Sequence, residues 1–117
     1  MSRRTERVNE LIRAEISELI RRRMNDPRVG EMVSVTEVSC SPDFKNARIY
    51  VSVIGSDEEQ LAALEGLRSA SGFLRRSLKP RLDLRHIPVL SFESDDSIKN
   101  GARILGILRE VEAGAPN

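Results

Sequence analysis

Apolar residues recur at helical spacing through the opening stretch of the chain. Val8, Leu11, Ile12, Ile16, Leu19, Ile20 and Met24 follow the intervals that gather side chains on one face of a helix of about five turns. Ser2 or Thr5 is placed to cap its start. Asn25, Asp26 and Pro27 are placed to stop it, because proline lacks an N–H and disfavours helix in the residue before it. The period then changes from helical to alternating. Val33 and Val35 alternate, and the phase slips by one so that Val38 and Cys40 take over, as a β-bulge would make it. Ser41, Pro42, Asp43 and Phe44 form a hairpin turn, after which Ala47, Ile49, Val51 and Val53 alternate with Arg48, Tyr50 and Ser52. Two antiparallel strands are predicted.

Ser56 followed by Glu59 is a capping box, so a second helix starts at about Asp57. Leu61, Leu64, Leu67 and Ala70 continue as its apolar stripe, and Phe73, Leu74, Leu78 and Leu82 resume that stripe beyond Gly72. Glycine inside a helix costs about 1 kcal/mol relative to alanine, and Ala70 and Ser71 beside it remove bulk. The low-bulk triplet Ala70, Ser71, Gly72 predicts two short helices meeting at a kink; one helix that tolerates a glycine is the other reading, and both stay open at this point. Arg85 to Pro88 form a loop and Val89 to Glu93 a third strand. A strand, a helical crossover and a strand of one sheet give a parallel pair, which places the second strand centrally. Ser97 can cap a last helix through Ile98, Ile104, Leu105, Leu108 and Val111, weakened by Gly101 and Gly106. The expected fold is α+β: a three-stranded sheet with helices packed on one face over residues 1–96, and a C-terminal helix or partly flexible tail over 97–117.

With 117 residues and 3% aromatics, the chain holds one domain with an aliphatic core. No run of about 18 apolar residues is present and the charged amino terminus has no apolar centre, so neither a membrane span nor a signal peptide is expected and the expected location is the cytoplasm. The single cysteine, Cys40, excludes an internal disulfide and a multi-cysteine metal site.

The net charge of +1 hides a strong segregation. Residues 1–30 carry +3, 31–67 carry −5, 68–88 carry +5 and 89–117 carry −2. Arg68, Arg75, Arg76, Lys79, Arg81 and Arg85 therefore make a candidate phosphate-tracking surface beside the kink, since a guanidinium fork pairs two phosphate oxygens. Arg3, Arg4, Arg7, Arg21, Arg22, Arg23 and Arg28 offer a second surface on and after the first helix, although Glu6, Glu10, Glu15 and Glu18 are interleaved as helix-surface partners. With so few aromatics, none expected at the surface, recognition by shape and charge is predicted rather than base stacking.

Nothing in the sequence assembles catalysis. His86 is the only histidine and sits in a basic loop, Cys40 has the character of a small buried apolar group, and Asp95 and Asp96 fit a strand-end turn better than a cation site. No phosphate loop is present. No enzyme, cofactor, metal or small-molecule substrate is expected. The rivals to RNA binding are a protein-interaction module docking through its helix faces, and a small hydrolase using Cys40 or His86.

Several segments resemble one family. Asp26-Pro27-Arg28-Val29 after a long helix, Val38 to Asp43, Ala70-Ser71-Gly72-Phe73 between two helices, Leu84-Arg85-His86-Ile87-Pro88 before Phe92, and Gly101-Ala102-Arg103-Ile104 are similar in type and order to ribosome-binding factor A. The resemblance covers nearly the whole chain. It implies a KH-like domain of type II topology whose partners are the small (30S) ribosomal subunit and its 16S rRNA; the chain itself is expected to be a monomer. It implies action late in subunit assembly, assisting maturation of the rRNA 5′ end, notably in the cold. One departure from the general KH pattern matters: the Gly-x-x-Gly loop that clamps single-stranded RNA is replaced by Ala70-Ser71-Gly72.

Overall fold

The computed structural model describes residues 3–23 and 33–96. Helix α1 spans Arg3–Arg23, strands β1 and β2 span Val33–Cys40 and Asn46–Val53, and helices α2 and α3 span Asp57–Ser69 and Ser71–Leu78. A 3-10 turn over Lys79–Arg81 and strand β3 over Val89–Ser94 complete the order. Arg28, the stop at Asn25 to Pro27 and the expected C-terminal helix lie outside the described residues.

The sheet order is β1-β2-β3, with β2 antiparallel to β1 and parallel to β3. The expected phase slip is a register shift between Val35 and Glu37. The hydroxyl of Thr36, the residue left over, donates to the Tyr50 carbonyl at 3.2 Å. The hairpin closes through Ser41, whose amide donates to the Asn46 carbonyl at 2.8 Å. Phe44 there takes the left-handed conformation at φ 58°. Strand β3 is held at both ends, by Val89 N–H on the Lys45 carbonyl and Asp95 N–H on that of Val51.

Val38, Cys40, Ala47, Ile49, Val51, Leu90 and Phe92 turn to one face of the sheet, where Val8, Ile12, Ile16, Leu19 and Ile20 of α1 meet them together with Leu67, Leu74, Leu78 and Leu82. All the described helices cover this face. Asn9 of α1, buried, accepts the Cys40 amide at 3.0 Å and ties α1 to the end of β1. Thr5, the alternative cap, instead lies inside the helix and is buried. Leu11, expected on the α1 stripe, is exposed, because it stands one residue, about 100° of rotation, from Ile12 and outside the line that Val8, Ile12 and Ile16 define.

The crossover is broken, at Ala70. The capping box forms as expected: Ser56 Oγ accepts the Glu59 amide and Glu59 Oε1 the Ser56 amide, each at 3.2 Å. Helix α2 then ends where Ala70 takes φ −87°, ψ 0°, the bridge region between helix and strand. Its amide still bonds back to Gly66 and Leu67 while its carbonyl accepts from Leu74, so the two helices share one residue as end and start. Gly72 has no positive φ, and a Cβ there would meet only Arg76 Nη1, at 3.4 Å. The break therefore owes nothing to glycine's backbone freedom.

Candidate nucleic-acid interface

Leu74 and Leu78 anchor α3 in the core, and that choice of face turns Arg75, Arg76 and Lys79 outward. The following turn carries Pro80 and reverses the chain, so the segment Leu84 to Pro88 returns alongside α3. Arg75 holds it there. Its Nε and one Nη donate to the Ile87 carbonyl at 3.1 and 2.8 Å. This contact spends the guanidinium fork on backbone while leaving its charge uncancelled by any acid.

Between helix and loop lies an open cleft of about 310 Å³ lined by Arg75, Arg76, Lys79, Leu84, Arg85, His86 and Ile87. No acid is among the lining residues, and no described residue pairs with the charges of Arg76, Lys79 or Arg85. Three uncompensated cations round one concave surface produce a field that attracts a polyanion.

The six basic residues predicted beside the kink do not all serve this cleft. Arg68 donates its Nε to the Phe92 carbonyl at 3.1 Å, joining the end of α2 to β3. Arg81 turns towards α1 instead. Its Nη1 lies 2.9 Å from Glu15 and 3.5 Å from Glu18, so two α1 carboxylates neutralise it, and hydrogen bonding to Glu15 holds its guanidinium pKa above the usual value. Arg81 fastens α1 to the end of the crossover and does not line the cleft.

The second predicted surface divides. Arg3, Arg4 and Arg7 are exposed at the start of α1, with Arg4 stacked 5.6 Å from the centroid of the Phe44 ring. Arg21, Arg22 and Arg23 lie at the other end, roughly 25 Å away along the axis. There Glu18 lies 3.6 Å from Arg22. Lys45, absent from both predicted surfaces, is exposed in the hairpin, and its carbonyl receives the first amide of β3. Because Asn46 is in register with Val89, Lys45 and the Arg85 loop meet at the same end of the sheet. Only strand pairing could reveal that.

A further correction concerns aromatics. Phe73, predicted on the buried stripe, is 39% exposed. Cys40 is buried, and burial pushes its thiol pKa up, away from a reactive thiolate. The Asp95 amide extends the β3 ladder and the Asp96 amide donates to Ser94 Oγ, as a strand-end turn requires. No group of three metal-ligating side chains occurs among the described residues, nor is any described helix long and apolar enough to cross a membrane.

A mixed three-stranded sheet in this order, covered on one face by a first helix and a broken helical crossover, defines a KH-like domain of type II topology with a basic cleft at the far end of its crossover. The place of the usual glycine loop is taken by Ala70, Ser71 and Gly72. The chain belongs to the ribosome-binding factor A family, whose model matches residues 4–108. A ribosome-binding factor A from Acetivibrio thermocellus is 46% identical over 110 residues, covering 94% of this chain and 89% of the relative. One from Dictyoglomus thermophilum is 48% identical over 111 residues, covering 95% and 92%. The crystal structure of ribosome-binding factor A from Thermus thermophilus superposes with a TM-score of 0.68 at 26% identity, over 77% of this chain and 93% of that one. Coordinates of the Thermus thermophilus factor fitted into the cryo-EM map of its 30S complex give 0.61 at 27% identity, over 73% and 88%.

Proposed function

We propose that this chain binds the small ribosomal subunit by laying the cleft between α3 and the Arg85 loop on the phosphates of 16S rRNA, and that it acts by binding alone. The observation that carries this reading is the set of Arg76, Lys79 and Arg85 around one cleft with no acid in its lining. The family membership, and the 30S complex of the Thermus thermophilus factor, support the choice of RNA. A protein without a catalytic site moves an assembly equilibrium only through its preference for one RNA arrangement. The factor would occupy the immature subunit late in assembly, hold rRNA helices in an arrangement unfit for initiation, favour maturation of the 5′ end of 16S rRNA, and leave when maturation ends. It would do so as a cytoplasmic monomer, with the greatest demand in the cold, where misfolded RNA helices rearrange slowly.

The test is a triple charge reversal, Arg76→Glu, Lys79→Glu and Arg85→Glu. These side chains have no described partners, so the variant should fold. Co-sedimentation with small subunits should be lost at moderate salt. For RNA binding, each phosphate contact removed should lower the slope of log affinity against log salt by roughly 1. A folded variant that still co-sediments places the interface elsewhere.

A second reading, protein docking, has one observation in its favour. Leu61, expected in the core, is 56% exposed at a shallow groove of about 200 Å³ lined also by Val51, Val53 and Leu64. A partner complex resistant to nuclease and to high salt would favour it.

A further inference from the structure

Phe73 is the only phenylalanine of the three that the fold leaves in water. Phe92 is buried beneath the helices, and Phe44 packs against the core with Arg4 over its ring. Phe73 shares α3 with the buried Leu74 and Leu78, but one residue of rotation carries it past the apolar stripe to the helix's outer side. At 39% exposure, part of its ring stays open to an outside partner.

Its surroundings define what it meets. On one side is Gly72, where neither backbone conformation nor packing demands a glycine. The missing side chain leaves bare backbone beside the ring. Arg76, one turn further on, folds its Nη1 back to within contact distance of that bare position. Arg76 also lines the cationic cleft with Lys79 and Arg85. A partly exposed ring one helical turn from the unpaired Arg76 suits a ligand that is planar and apolar on its faces and anionic along its backbone. An unpaired nucleotide is such a ligand. The bases of an uninterrupted duplex already stack on one another and expose no face.

We propose that Phe73 is a stacking platform for one unpaired base of the bound RNA, and that Arg76 pairs with a phosphate flanking that base. The inference rests on the RNA-binding reading and adds a preference to it: RNA with a bulged or single-stranded nucleotide beside a helix over a continuous duplex. Base stacking on an aromatic side chain tolerates any base, so the preference is for an unpaired position and not for a sequence.

The experiment measures affinity of the full chain, at one fixed salt concentration, for two RNAs of equal length: a hairpin with an unpaired tract and a fully paired duplex. Phe73→Ala and Phe73→Leu should weaken the unpaired RNA by about 5- to 150-fold and leave the duplex unchanged, with the salt slope unaltered. Phe73→Tyr should bind as the parent does, since it keeps the ring. Phe73 lies outside the core, so all three variants should fold, and far-ultraviolet circular dichroism checks this. Retained affinity in Phe73→Leu would show that a merely apolar contact suffices and would overturn the proposal, as would equal weakening of both RNAs. If Phe73→Ala binds like the parent while the triple charge reversal abolishes binding, stacking is refuted and the cleft reading stands. If the parent binds neither RNA, both fall.

Discussion

Cys40 closes β1 with its side chain in the core, and desolvation is what raises its thiol pKa. A group whose folded pKa lies above its unfolded value contributes stability that is fully present below the unfolded pKa and is lost as pH rises through the folded one. The thermal midpoint should therefore decline on the alkaline side of the ordinary thiol range, and less so in Cys40→Ala. The native thiol should react slowly with iodoacetamide at neutral pH and quickly in denaturant; rapid native labelling would contradict its placement. The same scale shows where local pattern misleads. Leu11, Leu61 and Phe73 all sit at plausible helical spacing and all are exposed, because spacing marks a stripe without marking how wide a strip the neighbouring elements cover.

At the scale of elements, α2 depends on its start. A 13-residue helix is marginal alone, and its Ser56–Glu59 box satisfies two backbone amides at its start. Ser56→Ala should lower stability by about 1 kcal/mol, read as a lower urea midpoint at constant m. An unchanged midpoint would mean that packing at Leu67 alone fixes the helix. Such devices were legible in sequence because they act within a few residues: the capping box, the hairpin turn and the bulge at Thr36 all stand where local pattern puts them. The break in the crossover was legible too, but not its cause. The triplet Ala70, Ser71, Gly72 marks the site, whereas the backbone that departs from helix is that of Ala70.

Across the whole molecule, arginines of equal promise in the sequence have separate duties. Arg81 binds two carboxylates of α1, Arg75 and Arg68 bind backbone carbonyls, and Arg76 stays unpaired among the described residues. Arg81→Gln should accordingly lower the thermal midpoint while leaving RNA affinity nearly intact, and Arg76→Gln should do the reverse. If Arg81→Gln weakens RNA binding at full stability, Arg81 belongs to the interface after all.

The sequence by itself determined the elements, their order, the parallel crossover and the segregation of charge, since period, caps and turns are interactions among near neighbours and the crossover's handedness follows from chain geometry. Only the tertiary structure decided which cations remain available. Arg81 finds Glu15 across 66 positions, Arg68 finds Phe92 across 24 and Arg75 finds Ile87 across 12. Pairings at such separations exist only once the sheet and helices have packed, and the same packing leaves Phe73 outside the core.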